Sequence, residues 1–166
     1  MARKTGIFAG ILAFILAFIQ QIPIYPEEDI SMVFYIFKND NIEHYIWGYL
    51  IGGSEAKTLI TAPFPENVIA IFLWLFVFFI GLSSIMASTT KATYKYSAKL
   101  YRLNLLLSLF LLGIYTTLVI TIHLESLNEI FVSIFTSLGL GYYVILLCLI
   151  LNGLALRSLN KEYLDQ

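Results

Sequence analysis

The sequence predicts an all-α integral membrane protein, a bundle of four transmembrane helices with an outer segment of about 45 residues. Hydrophobic residues make up 59% of the 166 positions and the mean hydropathy is +0.82, whereas soluble domains are roughly 45–50% apolar. Four apolar runs are each long enough to cross a hydrocarbon core of about 30 Å. They lie near residues 5–24, 68–88, 103–123 and 130–156. The whole chain, 1–166, is therefore expected to form a single membrane domain.

The charges between these runs separate by sign and predict the orientation. Alternate threading of the runs collects most cations on one side of the membrane: Arg3, Lys4, Lys91, Lys95, Lys99, Arg102, Arg157 and Lys161. Only Lys38 and Lys57 fall on the other side, which receives most of the acidic residues. Because cytoplasmic loops are enriched in Lys and Arg, we expect a multi-pass protein of the cell membrane with both termini cytoplasmic. The first run is expected to be retained, since no small-x-small cleavage pattern precedes Gln20.

Small residues recur at four-residue spacing in the first run. Gly6 and Gly10 form one such pair, and Ala13 and Ala17 belong to a second row. Such stripes let helix backbones approach closely in lipid. We predict that these four residues pack against another helix, either one of the chain's own or one of a partner.

The outer segment, residues 25–67, allows two kinds of structure. Pro26 followed by acidic residues is typical of a helix start, and apolar residues then recur at helical spacing, so an interfacial helix is expected over 26–38. The 44–62 stretch remains open between a second short helix ending at Gly52 and a hairpin. The alternation of aromatic and other residues suits the hairpin, for which Asn39-Asp40-Asn41 and Gly52-Gly53-Ser54 would supply turns on either side.

Aromatic side chains concentrate in this outer segment. Tyr45, Trp47 and Tyr49 are suited to the headgroup level of a membrane, where one end of each ring is apolar and the other is wet. The same three residues could contact another protein. We take them as candidate outer contacts.

The cytoplasmic connection at 89–102 is strongly basic. Lys91, Lys95, Lys99 and Arg102 fall at spacings of four, four and three, which places them within one arc of a helix. Cations directly beneath a membrane attract anionic lipid at about 1 kcal/mol per charge. We therefore predict a helical connection that contacts anionic lipids, and no nucleic acid partner.

Catalytic and metal-binding motifs are absent from the sequence. It has no Gly-x-Ser-x-Gly, His-Glu-x-x-His or Gly-rich phosphate loop, and no ionisable residue near the centre of an apolar run. The one candidate metal set is His44 and His123 with Glu125 on the outer side, which would suit zinc or copper. Cys148, the single cysteine, is expected to act as a small apolar residue. We predict no cofactor and no enzymatic activity.

The layout resembles that of tetraspan families such as the claudins, with inner termini, a long first outer segment and a short second one. Those families carry a Trp-containing motif with a cysteine pair in the first outer segment. This chain has Trp47-Gly48-Tyr49 there without cysteine, so no functional residue is carried over. The expected function is that of an accessory subunit that packs against other integral membrane subunits. The alternatives are an outward-facing adhesion or partner-binding protein and a small oligomeric transporter or channel.

Overall fold

A computed structural model describes residues 2–25, 30–52, 55–58, 61, 63–89, 92–123 and 135–164. Four long helices account for most of them. Helix α1 is Ala2–Phe18, α2 is Glu66–Ala87, α3 is Tyr94–His123 and α4 is Leu140–Leu164. The described residues between α1 and α2 include six short strands: β1 (Gln21–Tyr25), β2 (Ile30–Val33), β3 (Phe37–Asn39), β4 (Ile42–Tyr45), β5 (Gly48–Ile51) and β6 (Glu55–Thr58). The helices form one bundle, in which α1 packs against α2 and α4, and α3 packs against α2 and α4.

Three of these helices, α2, α3 and α4, are long and apolar enough to span a membrane. Helix α1 is apolar but shorter. It runs antiparallel to α2, because Gly6 lies beside Ser88 at one end and the Trp74 indole donates to the Ala17 carbonyl over 3.0 Å at the other.

Several helix boundaries differ from the predicted ones. The first helix ends at Phe18 rather than near 24, because Pro23 has no backbone N–H and its ring would clash with a helical carbonyl. The third helix begins at Tyr94 instead of 103, so the basic connection is helical from that residue onward. The fourth begins at Leu140 rather than 130 and continues beyond 156 to Leu164. Residues 124–134 lie outside the described part of the chain.

The interfacial helix predicted over 26–38 is wrong for the described residues, 30–38, and residues 26–29 lie outside the described part of the chain. Strands β1 and β2 form a two-stranded antiparallel sheet in which Ile22 pairs with Met32, and β3 belongs to a second sheet. Short apolar runs fit both the helical and the strand period. Here the β-branched residues and the adjacent strand β1, which provides backbone partners, favour strands.

The second sheet resolves the open alternative at 44–62 in favour of strands. Its order is β3-β4-β5-β6, all antiparallel. Asp40 and Asn41 make the two-residue turn between β3 and β4, with Asp40 at a positive φ of 48°. Gly52 has φ of 59° where β5 ends, a conformation that glycine adopts without steric penalty. The turn residues thus fulfil the role that the sequence indicated.

The outer sheets are fixed to the bundle through the segment between β2 and β3. Phe34 and Ile36 are buried in the main core together with residues of all four helices. The Gly139 amide donates to the Ile36 carbonyl and the Gly141 amide donates to the Tyr35 carbonyl, both over 2.9 Å. A β-bridge between Phe37 and Leu138 extends this contact. The outer region and the start of α4 are therefore one continuous hydrogen-bonded unit.

Candidate functional site

The small-residue stripe of α1 lies inside the bundle. Ala13 and Ala17 are each 1% exposed. A Cβ atom on Gly6 would meet the hydroxyls of Ser88 and Tyr101, and one on Gly10 would lie 2.8 Å from the Gly81 carbonyl oxygen. The stripe packs against the chain's own helices, so these residues are not available to a partner helix.

A cluster of buried polar side chains joins α2, α3 and α4. Asn104 of α3 and Asn152 of α4 are fully buried, and the Asn104 amide donates to the Ser84 hydroxyl over 2.9 Å and to Asn152 Oδ1 over 3.2 Å. The Ser84 hydroxyl also donates to Asn152 Oδ1 over 2.9 Å. Since each interhelical hydrogen bond in a membrane contributes on the order of 1 kcal/mol, the cluster fixes the register of the three helices.

The rest of the cluster uses its hydrogen-bonding groups internally as well. The Ser83 hydroxyl lies 2.6 Å from both the Phe79 carbonyl and Asn104 Oδ1. The Asn152 amide donates to the Cys148 carbonyl over 2.8 Å. One buried atom in the described residues, Ser108 Oγ, has no partner. It faces an apolar cavity of about 10 Å³ that is also lined by Cys148, which is at the lower limit for one water molecule.

The outer sheet carries a row of aromatic side chains across its strands. The row consists of Phe37, His44 and Tyr49, which are cross-strand neighbours on β3, β4 and β5. Lys57 of β6 is the next cross-strand neighbour, beside Tyr49. The His44 ring stacks on Phe37 with centroids 4.2 Å apart, and Tyr49 lies 5.8 Å from His44. Phe37 also contacts Tyr115 of α3 at 6.2 Å. The row therefore starts at the bundle and extends outward across the sheet.

The three predicted outer contacts, Tyr45, Trp47 and Tyr49, differ in how exposed their side chains are. Tyr45 is only 5% exposed, and its hydroxyl donates to Glu43 over 2.9 Å. Trp47 and Tyr49 are half-buried, and Trp47 stacks on Tyr45 with centroids 4.8 Å apart. Of the three, Trp47 and Tyr49 offer surface to a partner.

The predicted metal set lies only partly within the described residues and stays a prediction. His44 stacks in the aromatic row, His123 is the last residue of α3, and Glu125 lies outside the described residues. Within the part of the chain that is described, no group of three or more His, Cys, Asp or Glu side chains could hold a metal ion.

Burial within the sheet lowers the pKa of His44 below its usual value of 6.5. In the unfolded segment this imidazole takes up a proton near pH 6.5, whereas in the folded sheet it does so only at lower pH. Acidification below pH 6.5 is therefore expected to destabilise the outer sheet until the lowered pKa is reached. Thermal unfolding in detergent at pH 7.5 and 5.5 measures this.

The control for this pH prediction is His44→Phe, which keeps a ring against Phe37 and removes the titrating group. The loss of melting temperature between pH 7.5 and 5.5 should be smaller in the variant than in the wild type. An equal loss in both proteins would assign the pH dependence to other groups.

The predicted basic contacts lie along α3. Lys95, Lys99 and Arg102 are all exposed near its first residues. Lys91 lies outside the described residues. The spacing read from the sequence thus holds for three of the four cations, which occupy one exposed face.

Some structural residues are only partly evident from the sequence. A lone asparagine within an apolar run, such as Asn152, is typical of an interhelical hydrogen bond, but nothing in the sequence pairs it with Asn104. Tyr35 was not singled out, because its contribution is a backbone carbonyl. The signal for that contact was the Gly139-x-Gly141 spacing, which indicates close packing.

Taken together, the described residues form a mostly helical protein in which three helices are long and apolar enough to span a membrane, with two small β-sheets attached at one end of the helices. No protein-family model, curated protein or solved structure matches the chain.

Proposed function

We propose that this chain is a non-catalytic accessory subunit of a larger integral membrane complex, which it stabilises through helix packing and outer-face contacts. The observation that carries the proposal is the fixed attachment of the outer sheets to the bundle. Two backbone hydrogen bonds of 2.9 Å join Tyr35 and Ile36 to Gly141 and Gly139. A subunit built this way can hold a partner within the membrane and above it in one relative position.

The filled interior of the bundle supports a non-catalytic role. The polar side chains Ser83, Ser84, Asn104 and Asn152 bond to one another or to helix carbonyls. The cavity beside Ser108 has a volume of only about 10 Å³. Within the described residues, this arrangement favours mechanical support over substrate binding or passage through one copy of the chain.

Partner helices would contact exposed apolar faces, since the small-residue stripe of α1 is internal. Phe8 and Phe18 of α1 are each 60% exposed, and Phe72 of α2 is 57% exposed. Large side chains on a lipid-facing surface can pack equally against acyl chains or another subunit. We propose this α1–α2 face as the site of subunit contact.

We also propose that all four helices cross the membrane and that both termini are cytoplasmic. Helix α1 lies beside α2 from Ser88 to Trp74, a distance of about 21 Å along a helix, and so occupies much of the depth that α2 crosses. The asymmetry of Lys and Arg supports the orientation.

This topology predicts opposite labelling of two engineered cysteines in a Cys148→Ser background. Asn41→Cys, in the exposed turn between β3 and β4, should react with a membrane-impermeant maleimide added to intact cells. Lys161→Cys, near the exposed end of α4, should react only after the cells are permeabilised. Labelling of both before permeabilisation, or the reverse order, would contradict the orientation.

The accessory role is tested by purifying the tagged native protein in mild detergent and identifying the copurifying chains by mass spectrometry. A stoichiometric set of larger membrane subunits is expected. Phe8→Ala or Phe18→Ala should reduce the amount of these subunits that copurifies. A matched control is Leu164→Ala, which removes an 82% exposed residue at the far end of α4. A pure homo-oligomer of this chain would contradict the proposal and favour transport between copies, to be measured as flux in liposomes.

A second candidate function is partner binding by the outer sheet across the cell surface. The aromatic surface formed by Trp47 and Tyr49 favours it, because aromatic residues are enriched in protein interfaces. Trp47→Ala would then abolish surface binding while assembly is retained. Phe64→Ala, at an 81% exposed residue outside the sheets, is the control.

A further inference from the structure

One face of α3 combines exposed cations with exposed apolar surface. Lys95, Lys99 and Arg102 lie at spacings of four and three residues, which places them on the same side of the helix. The side continues with exposed apolar residues: Leu103, Leu106, Leu109 and Phe110. The sequence of α3 contains no carboxylate, so the helix itself does not neutralise this charge.

An open groove of about 420 Å³ follows on the same helix. It is lined by Phe110, Gly113, Ile114, Thr117 and Leu118. Gly113 creates space in it, because a Cβ atom there would have no neighbour within 4 Å. The Thr117 hydroxyl donates to the Gly113 carbonyl of the same helix over 2.8 Å, so its hydrogen is already used within α3. The groove therefore favours an apolar occupant.

The spacing between cations and groove matches one lipid leaflet. Arg102 and Gly113 are separated by about 16 Å along the helix at 1.5 Å per residue. Half of a hydrocarbon core is about 15 Å thick. A headgroup held at the cations would thus extend its acyl chain over Leu106 and Phe110 to the groove.

We propose that this face of α3 binds one anionic phospholipid from the leaflet at the cationic end of the bundle. Lys95, Lys99 and Arg102 hold the phosphate, and an acyl chain lies along Leu106 and Phe110 with its end in the groove at Gly113. Charge complementarity selects this occupant over a neutral lipid, since each cation near a membrane surface contributes about 1 kcal/mol of attraction to anionic lipid. The inference does not depend on the accessory role, because it concerns a different face from α1 and α2.

The test is native mass spectrometry of the full chain, purified in mild detergent and incubated with phosphatidylglycerol or with phosphatidylcholine of the same acyl chains. The test variant is the triple substitution Lys95→Gln, Lys99→Gln and Arg102→Gln. The control is Lys4→Gln, Arg157→Gln and Lys161→Gln, which removes the same charge from exposed positions elsewhere. The wild type and the control should retain phosphatidylglycerol, and the test variant should retain it at least about tenfold less.

Two further measurements separate the headgroup from the acyl chain. Gly113→Leu fills the groove and should weaken retention of phosphatidylglycerol without removing its preference over phosphatidylcholine. Glycerol phosphate, which has the headgroup chemistry but no acyl chain, should not be retained. Melting temperatures of all variants confirm that they fold, as expected for substitutions at exposed positions.

Three results of the lipid-retention measurements would overturn the proposal. The first is an equal loss of phosphatidylglycerol in the test and control triple variants. The second is retention without preference between the two lipids, and the third is retention of glycerol phosphate alone. If a photo-crosslinker at Leu106 captures a protein chain in place of lipid in native membranes, the face is a subunit contact and the lipid site is excluded.

Discussion

Replacing Gly139 by alanine is expected to separate the outer sheets from the helical bundle. A Cβ atom at this position would meet both the ring and the backbone carbonyl of Tyr35. That carbonyl is held by the Gly141 amide over 2.9 Å, and the next residue, Ile36, donates to the His44 carbonyl over 2.6 Å. The segment cannot retreat without breaking the sheet or its attachment. We expect the free energy of unfolding to fall by about 3 kcal/mol, which is the upper end of the usual cost of overpacking.

Thermal unfolding in mild detergent, followed by tryptophan fluorescence, measures the effect. Trp47 reports on the outer sheet and Trp74 on the bundle, so a Trp47→Phe background distinguishes which part unfolds first. Gly113→Ala is the matched control, since the added Cβ has no neighbour within 4 Å. A melting temperature of Gly139→Ala equal to that of this control would show that the Tyr35 contact does not hold the sheets to the helices.

The helices were predicted more successfully than the outer region. The apolar runs at α2 and α3 strongly indicate transmembrane helices, because such a helix needs about 20 apolar residues and few other structures need so many. Their ends were less accurate. The basic stretch before Leu103 has no hydropathy signal, yet it continues α3 back to Tyr94 because nothing in 94–102 interrupts a helix.

The outer region could not be derived from local pattern alone. Ile30, Val33, Phe34 and Phe37 fit a helix as well as a strand. The outcome depends on pairing with β1, which itself requires α1 to end at Phe18. The predicted turn residues were right because their conformations are local. The strand partners were missed because strand pairing depends on residues that are distant in the sequence.

The candidate sites show the same division between local and long-range information. Lys95, Lys99 and Arg102 could be placed on one face from their spacing, since they share a helix. The bonds joining Ser84, Asn104 and Asn152 connect three helices across 68 positions of sequence, and hydropathy carries no information about such pairs. The stripe on α1 was recognised, but its partner helix was settled only by the contact of Gly10 with Gly81.

Because Gly10 contacts Gly81, replacing glycine by alanine is expected to have different effects in α1 and in α4. Alanine is about 1 kcal/mol better than glycine inside a helix, so the change should be stabilising wherever there is room. At Gly153 the nearest atom to an added Cβ is Leu105 Cδ2 at 3.7 Å, an ordinary contact. At Gly10 the added Cβ would lie 2.5 Å from an Ile85 side-chain carbon and 2.8 Å from the Gly81 carbonyl oxygen.

The two substitutions are therefore expected to have opposite signs. Gly10→Ala should destabilise the bundle by about 1–3 kcal/mol, whereas Gly153→Ala should be neutral or stabilising. Adding Ile85→Ala to Gly10→Ala should recover only part of the loss, because the Gly81 carbonyl belongs to the backbone of α2 and cannot rotate away. Trp74 fluorescence during thermal unfolding measures all three variants, since the indole donates to the Ala17 carbonyl of α1. If Gly10→Ala is as stable as Gly153→Ala, α1 does not pack on α2 through this stripe, and its small residues are free to meet a partner helix.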